Sequence, residues 1–390
     1  MSAILGLRGS GQFTTDFRPT NYRETFTLLE PNGSAPLNAL LSMTQSESTD
    51  DPKYNHFRDE LPNRVLTVNA AHTNVETALT MTNIPDVQFA VPNTLLLNTT
   101  TNEIIRVTAN PTATVITVQR GVSGSTAAAM AANQRLVIVG FADQEGTGRP
   151  TALSFDPTMD FNYTQIFKTG VSITGTLDAT KLRTGSKEEE QITKALKLHM
   201  GDIERSFFWG RRFEENGASA QPRRFTGGLF STITNVVDAA SGFATANTIT
   251  EAEFDRTLIE NIFAWGGKEK VAFCGPRVIS NLQRIAKNRW QPTAVEGSYG
   301  VSMTRYSTFA GDLLVHLHPM FRQVPGFDHT MVLLDMPHLK YRYMDGRDTQ
   351  LKMNVQAPDV DGKEHYYMTE CGLELTQGRV HSVIRNWQAT

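Results

Sequence analysis

One stretch constrains what this chain folds into more than any other: Ser186 to Glu215, SKEEEQITKALKLHMGDIERSFFWGRRFEE. Ile192, Leu196, His199, Ile203 and Phe207 recur every three or four residues, flanked by Ala195, Met200 and Phe208, which puts one apolar stripe on one face of a helix. Lys187, Lys194, Lys197, Asp202 and Arg205 fall on the opposite face. Ser186 and Glu189 have the S-x-x-E spacing of a capping box. Glu188, Glu189 and Glu190 sit at the positive end of the helix dipole, and Arg211 and Arg212 near the negative end. Asn216-Gly217, a pair that tolerates the left-handed conformation of a helix exit, predicts its end. A helix over 186–215 has about eight turns and runs ~45 Å, longer than many small domains are wide.

Bulk properties bound the rest. A chain of 390 residues is long enough for two or three domains. With 37 basic and 40 acidic residues and a formal charge of -3, it has no electrostatic reason to grip nucleic acid or an anionic membrane. The two cysteines, Cys274 and Cys371, match no metal spacing and read as free buried thiols in a reducing compartment. The opening MSAILGLRGSGQF lacks the apolar core of a signal peptide, and no run approaches the ~18 apolar residues of a membrane span. The expectation is a soluble protein made and used in a cytoplasm.

Residues 1–50, rich in Thr, Asn, Ser, Gly and Pro, predict an extended arm with one short helix in PNGSAPLNALLSM (31–43). From Val65 to Gly146 the runs RVLTV, VQFAV, TLLLN, EIIRVTA, TVITVQR and QRLVIVG predict a small antiparallel barrel or sandwich. It is inserted between KYNHFRDELP (53–62) and YTQIFKTGVSITGT (163–176). After the long helix, Thr250 and Glu253 form a second capping box ahead of a helix closed by Gly266-Gly267. KVAFCGP predicts a buried strand, RVISNLQRIAKNR a helix, and SMTRYSTFAGDLLVHLHPM returning strands, so 230–335 is an α/β module. LKYRYM alternates as a strand, and EHYYMTECGLELTQGRVHSVIRNW predicts two strands around a turn at Thr376-Gln377-Gly378. The fold class is α+β.

The motifs associated with chemistry fail on context. GVSGS (121–125) lacks the last glycine of a nucleophile elbow and sits in the β module. The glycines of GLRGSGQ neither follow a strand nor open a helix. His316 and His318 lie two apart on a strand, but no third metal ligand is identifiable. APDVDGKE (357–364) holds too little of a calcium loop and reads as a solvated turn. Glu188, Glu189 and Glu190 diverge by about 100° each and do not converge on a substrate. Phe207, Phe208 and Trp209 read as core or subunit contacts, not a base-stacking platform. No catalytic, cofactor-binding or metal residue is assigned, and no cofactor.

A long arm, an inserted module, a rod and a separate α/β module make sense when neighbouring copies order them. In order and spacing, PLNALLSM, YNHFRDELP, GFADQEGTGRP, FNYTQIFKTGVSITGT, GDIERSFFWG, ENIFAWGGKEKVAFCGP and YSTFAGDLLVHLHPMF resemble the tailed-bacteriophage major capsid proteins of the Hong Kong phage-type fold, in the branch with a β-domain inserted in the E-loop. The resemblance implies an N-arm at 1–50 and an E-loop at 51–180 carrying the insert at about 65–146. It implies a P-domain at 181–229 and 336–390 with the spine helix, and an A-domain at 230–335. It further implies hexamers and pentamers in an icosahedral shell around double-stranded DNA, contacted non-specifically, assembled in the host bacterial cytoplasm with portal, scaffolding and decoration proteins as partners and no membrane. The N-terminal helical scaffolding segment of some members is missing, which points to a separate scaffolding protein. No lysine and asparagine are assigned to the isopeptide cross-link some members form. Two competing expectations are an encapsulin-like compartment shell and a glycan-active enzyme using the β module for binding. The enzyme reading lacks an acid/base pair.

Overall fold

The structure is a computed structural model describing residues 35–44, 46–149, 152–180, 186–217, 221–286, 293–295 and 303–390. The arm before residue 35, the GLRGSGQ glycines and residues 287–289 of the helix expected in RVISNLQRIAKNR lie outside them. The described residues are α+β and divide into two compact units, Met1–His56 with Asp160–Thr390, and Phe57–Met159.

The long helix of the first unit spans Lys187–Trp209, 23 residues or ~35 Å. Ser186 caps it, its hydroxyl accepting from Glu189 N at 3.5 Å. The expected end at residue 215 is wrong by six residues. Gly210 leaves the helix with φ -56° and ψ 151°, and Gly228 N donates to Gly210 O at 3.0 Å. A Cβ on Gly228 would lie 2.8 Å from Gly210 N, so the returning chain crosses here because both residues are glycine. Phe213–Asn216 then pairs as a strand with Pro222–Phe225, setting Glu214 and Glu215 opposite Arg224 and Arg223. Arg211 and Arg212 therefore lie beyond the helix, and its last turn has no basic residue.

Ile203, Phe207, Phe208 and His199 are fully buried, whereas Lys197, Leu198, Asp202 and Arg205 are exposed. The strands Gln165–Thr174 and Gly362–Leu375 cover the stripe, paired antiparallel over ten positions from Gln165↔Cys371 to Thr174↔Gly362. The His199 ring lies 6.5 Å from Phe167 and 6.0 Å from Tyr367 and bonds Thr169 Oγ1 (3.0 Å) and Thr369 Oγ1 (2.7 Å). This pairing satisfies both ring nitrogens where no water reaches. Leu339–Met344 adds to Gly362–Leu375, Ser46–Thr49 lies parallel on the outer edge, and Gln350–Lys352 also pairs with Gly362–Leu375. A short helix, Pro36–Thr44, sinks Leu37, Leu40 and Leu41 into this core.

The second sheet of this unit runs Asn235–Asp238, Ser382–Arg385, Met331–Leu334, Glu269–Cys274, Asp312–Leu317, Met303–Ser307, Thr293–Val295. Its helix Glu251–Thr257 starts on a complete Thr250–Glu253 capping box, and Phe254 packs 5.0 Å from Trp387. The two strands expected around Thr376-Gln377-Gly378 are not a hairpin. Gly362–Leu375 stays in the first sheet, whereas Ser382–Arg385 enters the second, parallel to Asn235–Asp238 and antiparallel to Met331–Leu334. Val383 and Ile384 are both buried, and a strand covered on both faces is stable only inside a sheet, not curled back at an edge.

The second unit is a six-stranded antiparallel sheet, ordered Val65–Thr67, Arg135–Phe141, Thr94–Asn98, Ile104–Val107, Val115–Val122, Ala78–Thr80. A bridge between Val68 and Met81 joins the first and last strands and closes it into a barrel. Alternate residues, among them Leu66, Leu96, Ile105, Ile116 and Leu136, fill the interior.

Candidate functional site

Among the described residues, the sequence motifs that suggested chemistry are placed in structural roles. Ser125 Oγ of GVSGS donates to Val122 O (2.7 Å) and accepts from Ile104 N (3.0 Å), holding a barrel turn. Residues 357–361 form an exposed turn. Of the three glutamates, Glu188 binds Lys363 Nζ and His365 Nε2, each at 3.0 Å, tying the helix start to the central strand. Glu190 pairs instead with Lys187 and Lys194 of its own helix. Cys274 and Cys371 are buried and free, and burial pushes both thiols up. Among the described residues no three His, Cys, Asp or Glu could hold a metal ion, and no helix is long and apolar enough to cross a membrane.

His316 and His318 part company. The His316 ring stands edge-on to Phe273 at 5.9 Å. His318 is fully buried, accepts from Met320 N on Nδ1 (3.2 Å) and donates Nε2–H to Glu204 Oε1 (2.9 Å). Glu204 is also fully buried, and its two oxygens accept from Leu37 N and Asn38 N, both at 2.8 Å. One carboxylate thus joins the N-terminal helix, the long helix and the corner after Asp312–Leu317. Sequence reading missed it. Its signal is the i, i+4 row Met200, Glu204, Phe208, an acid between two apolar residues on the stripe's flank.

A second hub lies where the ribbon of Lys53–Arg58 and Thr158–Tyr163 is rooted. Asn162 Nδ2 donates to Gly227 O (3.0 Å) and Leu373 O (2.7 Å), and its Oδ1 accepts from Gly227 N (2.8 Å). Tyr54 OH donates to the same Leu373 carbonyl at 3.0 Å. Gly372 is obligatory, since a Cβ would lie 2.6 Å from Tyr163 O. Beside it Phe161 carries two cations, Lys53 Nζ at 4.2 Å and the Arg212 guanidinium at 4.1 Å from the ring centroid. Arg212 also binds Asp160 Oδ1 at 2.8 Å.

Phe57 and Met159 on the ribbon strands are 72% and 57% exposed, and Leu61, three residues after Arg58, is 88% exposed. A two-stranded ribbon is marginal in water without a further partner.

The second sheet holds a buried ionisable group of a different kind. Lys270 is fully buried, its ammonium donating to Trp265 O (2.9 Å) and to Val380 O. Near it His381 is sealed, its Nδ1 accepting from Asp335 N at 3.1 Å. Burial, helped by the Lys270 and His338 charges, holds His381 down at about 3. The unfolded chain, with an ordinary histidine near 6.5, then binds a proton the native state refuses, so stability falls as pH drops from 6.5 towards 3. The expected slope is about 1.4 kcal/mol per pH unit. Urea midpoints of His381→Asn, which keeps an acceptor and loses the titration, should vary less between pH 6 and 4 than wild type; an unchanged slope overturns this.

A model of the SU10 major capsid protein family matches residues 9–388. A major capsid protein of Pseudomonas phage PaMx41 is 28% identical over 366 residues, covering 88% of this chain and 84% of that protein. Among solved structures, the capsid of an empty GTA particle is 8% identical with a TM-score of 0.49, covering 95% of this chain and 96% of that one. Mycobacterium phage Adephagia is 10% identical with a TM-score of 0.47, covering 95% of both chains. The family match spans all but the outermost residues at either end, and this chain belongs to the SU10 major capsid protein family.

Proposed function

We propose that copies of this chain assemble as hexamers and pentamers into the icosahedral shell of a tailed phage, around double-stranded DNA contacted without sequence preference. The shell is built in the host bacterial cytoplasm, with portal, scaffolding and decoration proteins as partners. The role is structural, not enzymatic. The observation that carries the assembly is the set of bare apolar side chains on and next to the ribbon strands, Phe57, Leu61 and Met159. Exposed apolar side chains suit contact with a neighbouring copy, and permanent interfaces exceed ~2,000 Å². A net charge of -3 suits a wall that encloses DNA without gripping it.

In this reading 1–50 is the N-arm and 51–180 the E-loop, with the ribbon and the strand Gln165–Thr174, and the barrel at about 65–146 is its insertion. The P-domain is the long helix with the strands Leu339–Met344, Gln350–Lys352 and Gly362–Leu375, and the A-domain is the seven-stranded sheet, which takes the strand Ser382–Arg385 from the C-terminal segment.

Sedimentation and negative-stain microscopy of the expressed protein, alone and with the products of its neighbouring genes, test this. Closed shells or capsomer-sized rings are expected, and their contents, DNA or a protein cargo, separate a virion from a compartment. Phe57→Asp with Met159→Asp should fold and fail to assemble. A monomer under every condition overturns the assembly, and wild-type shells from the double variant overturn the ribbon's part in it.

A further inference from the structure

We propose that the Glu204 carboxylate is a seat on which the N-terminal helix is held or released as a unit, so that one side chain decides where the chain ahead of residue 35 is tethered. A helix leaves its first amides without partners inside itself. For Pro36–Thr44 their partners among the described residues are these. Pro36 has no N–H, Leu37 N and Asn38 N go to the two oxygens of Glu204, and Ala39 N takes Ala35 O at 3.1 Å. Among the described residues the cap therefore comes from 167 positions away. The helix is nine residues long, and below about 12 residues an isolated helix does not hold in water. Seated it is a helix, and unseated it is not.

The dependence runs both ways. Glu204 is fully buried, and the partners that meet its oxygens are the two amides and His318. His318 Nδ1 accepts from Met320 N, which fixes the ring's proton on the nitrogen facing the carboxylate. Without the N-terminal helix the carboxylate would keep one donor of three, and a buried anion in that state is strongly disfavoured. The helix dipole adds to the pull on the charge. Leu37, Leu40 and Leu41 fill the core beneath, but apolar contact is non-directional, whereas two amides on two oxygens set the register and the exit direction of the chain.

Hydrogen–deuterium exchange on the full chain, before assembly, tests this independently of the capsid reading. In Glu204→Gln the side-chain amide turns a donor towards a donor, while every leucine stays. Peptides within 36–44 should exchange about 10- to 100-fold faster, while those of 187–209 and 362–375 keep wild-type protection. Asn38→Asp gives a second reading that does not touch Glu204. An acid in the first turn favours a helix intrinsically, so slower exchange of 36–44 would mean that helix preference governs seating and overturns the proposal. Faster exchange, from a second carboxylate beside the first, supports it. Unchanged protection of 36–44 in Glu204→Gln, or its loss together with 187–209 and 362–375, also overturns it.

Discussion

Ile203→Asp should leave no soluble subunit, whereas Leu198→Asp, five residues earlier on the same helix, should express and melt as wild type. Ile203 is fully buried, in one cluster with Phe207, Phe273, Phe321 and Leu373. A carboxylate there has no donor and is kept from water, a penalty of several kcal/mol for the ion on top of about 2 to 4 for the lost apolar packing. That sum rivals the ~5–15 kcal/mol that holds an entire domain. Leu198 is 63% exposed, and a charge at such a site changes stability by less than ~0.5 kcal/mol. Soluble yield and thermal melting of the two variants check the pair. Soluble, cooperatively melting Ile203→Asp would mean the helix does not bury the face assigned to it.

The second large effect lies in the barrel. Glu103 is fully buried and Arg120 nearly so, with two parallel bonds of 2.8 Å between them. Gly121 N (3.1 Å) and Ala128 N (3.2 Å) complete the carboxylate, and Arg120 Nη1 reaches Thr73 O at 2.9 Å. Burial alone would raise the Glu103 carboxyl; the Arg120 and backbone donors overcome it and hold it below its ordinary value. Arg120→Met strands a buried anion, and the expected cost is about 3–5 kcal/mol. Arg120→Met with Glu103→Leu should recover most of it, because a pair removed together leaves no unpaired charge. The four tryptophans, at 209, 265, 290 and 387, all fall outside 57–159, so tryptophan fluorescence reports the other unit. Circular dichroism should therefore show an early transition in Arg120→Met while the fluorescence melt stays in place. Coincident, unshifted curves by both probes would rule out the buried pair as a keystone of the barrel.

Much of this was legible in the sequence, and the reasons differ by element. The long helix was readable because its stripe has a helical period and its capping serine sits at the right offset. Its end was not. Arg211, Arg212 and Phe213 continue a tolerable helical pattern, and only the approach of Gly228 to Gly210, 18 residues on, shows why the chain breaks there. The turn at Thr376-Gln377-Gly378 was legible as a break between strands, but the choice of sheet for Ser382–Arg385 depends on partners 147 residues away at Asn235–Asp238. Glu204 was hidden for the same reason, since its donors are Leu37 and Asn38. Local period and punctuation are written in neighbouring residues; register between distant segments is not.

The place of Ser382–Arg385 in the seven-stranded sheet also bears on the order of events during synthesis. Asn235–Asp238 has that strand as its sheet partner, so it stays unpaired while more than a hundred further residues are translated. Trp387, fully buried against Phe254, arrives later still. A nascent chain still on the ribosome therefore presents an unfinished edge where the mature subunit has a closed core.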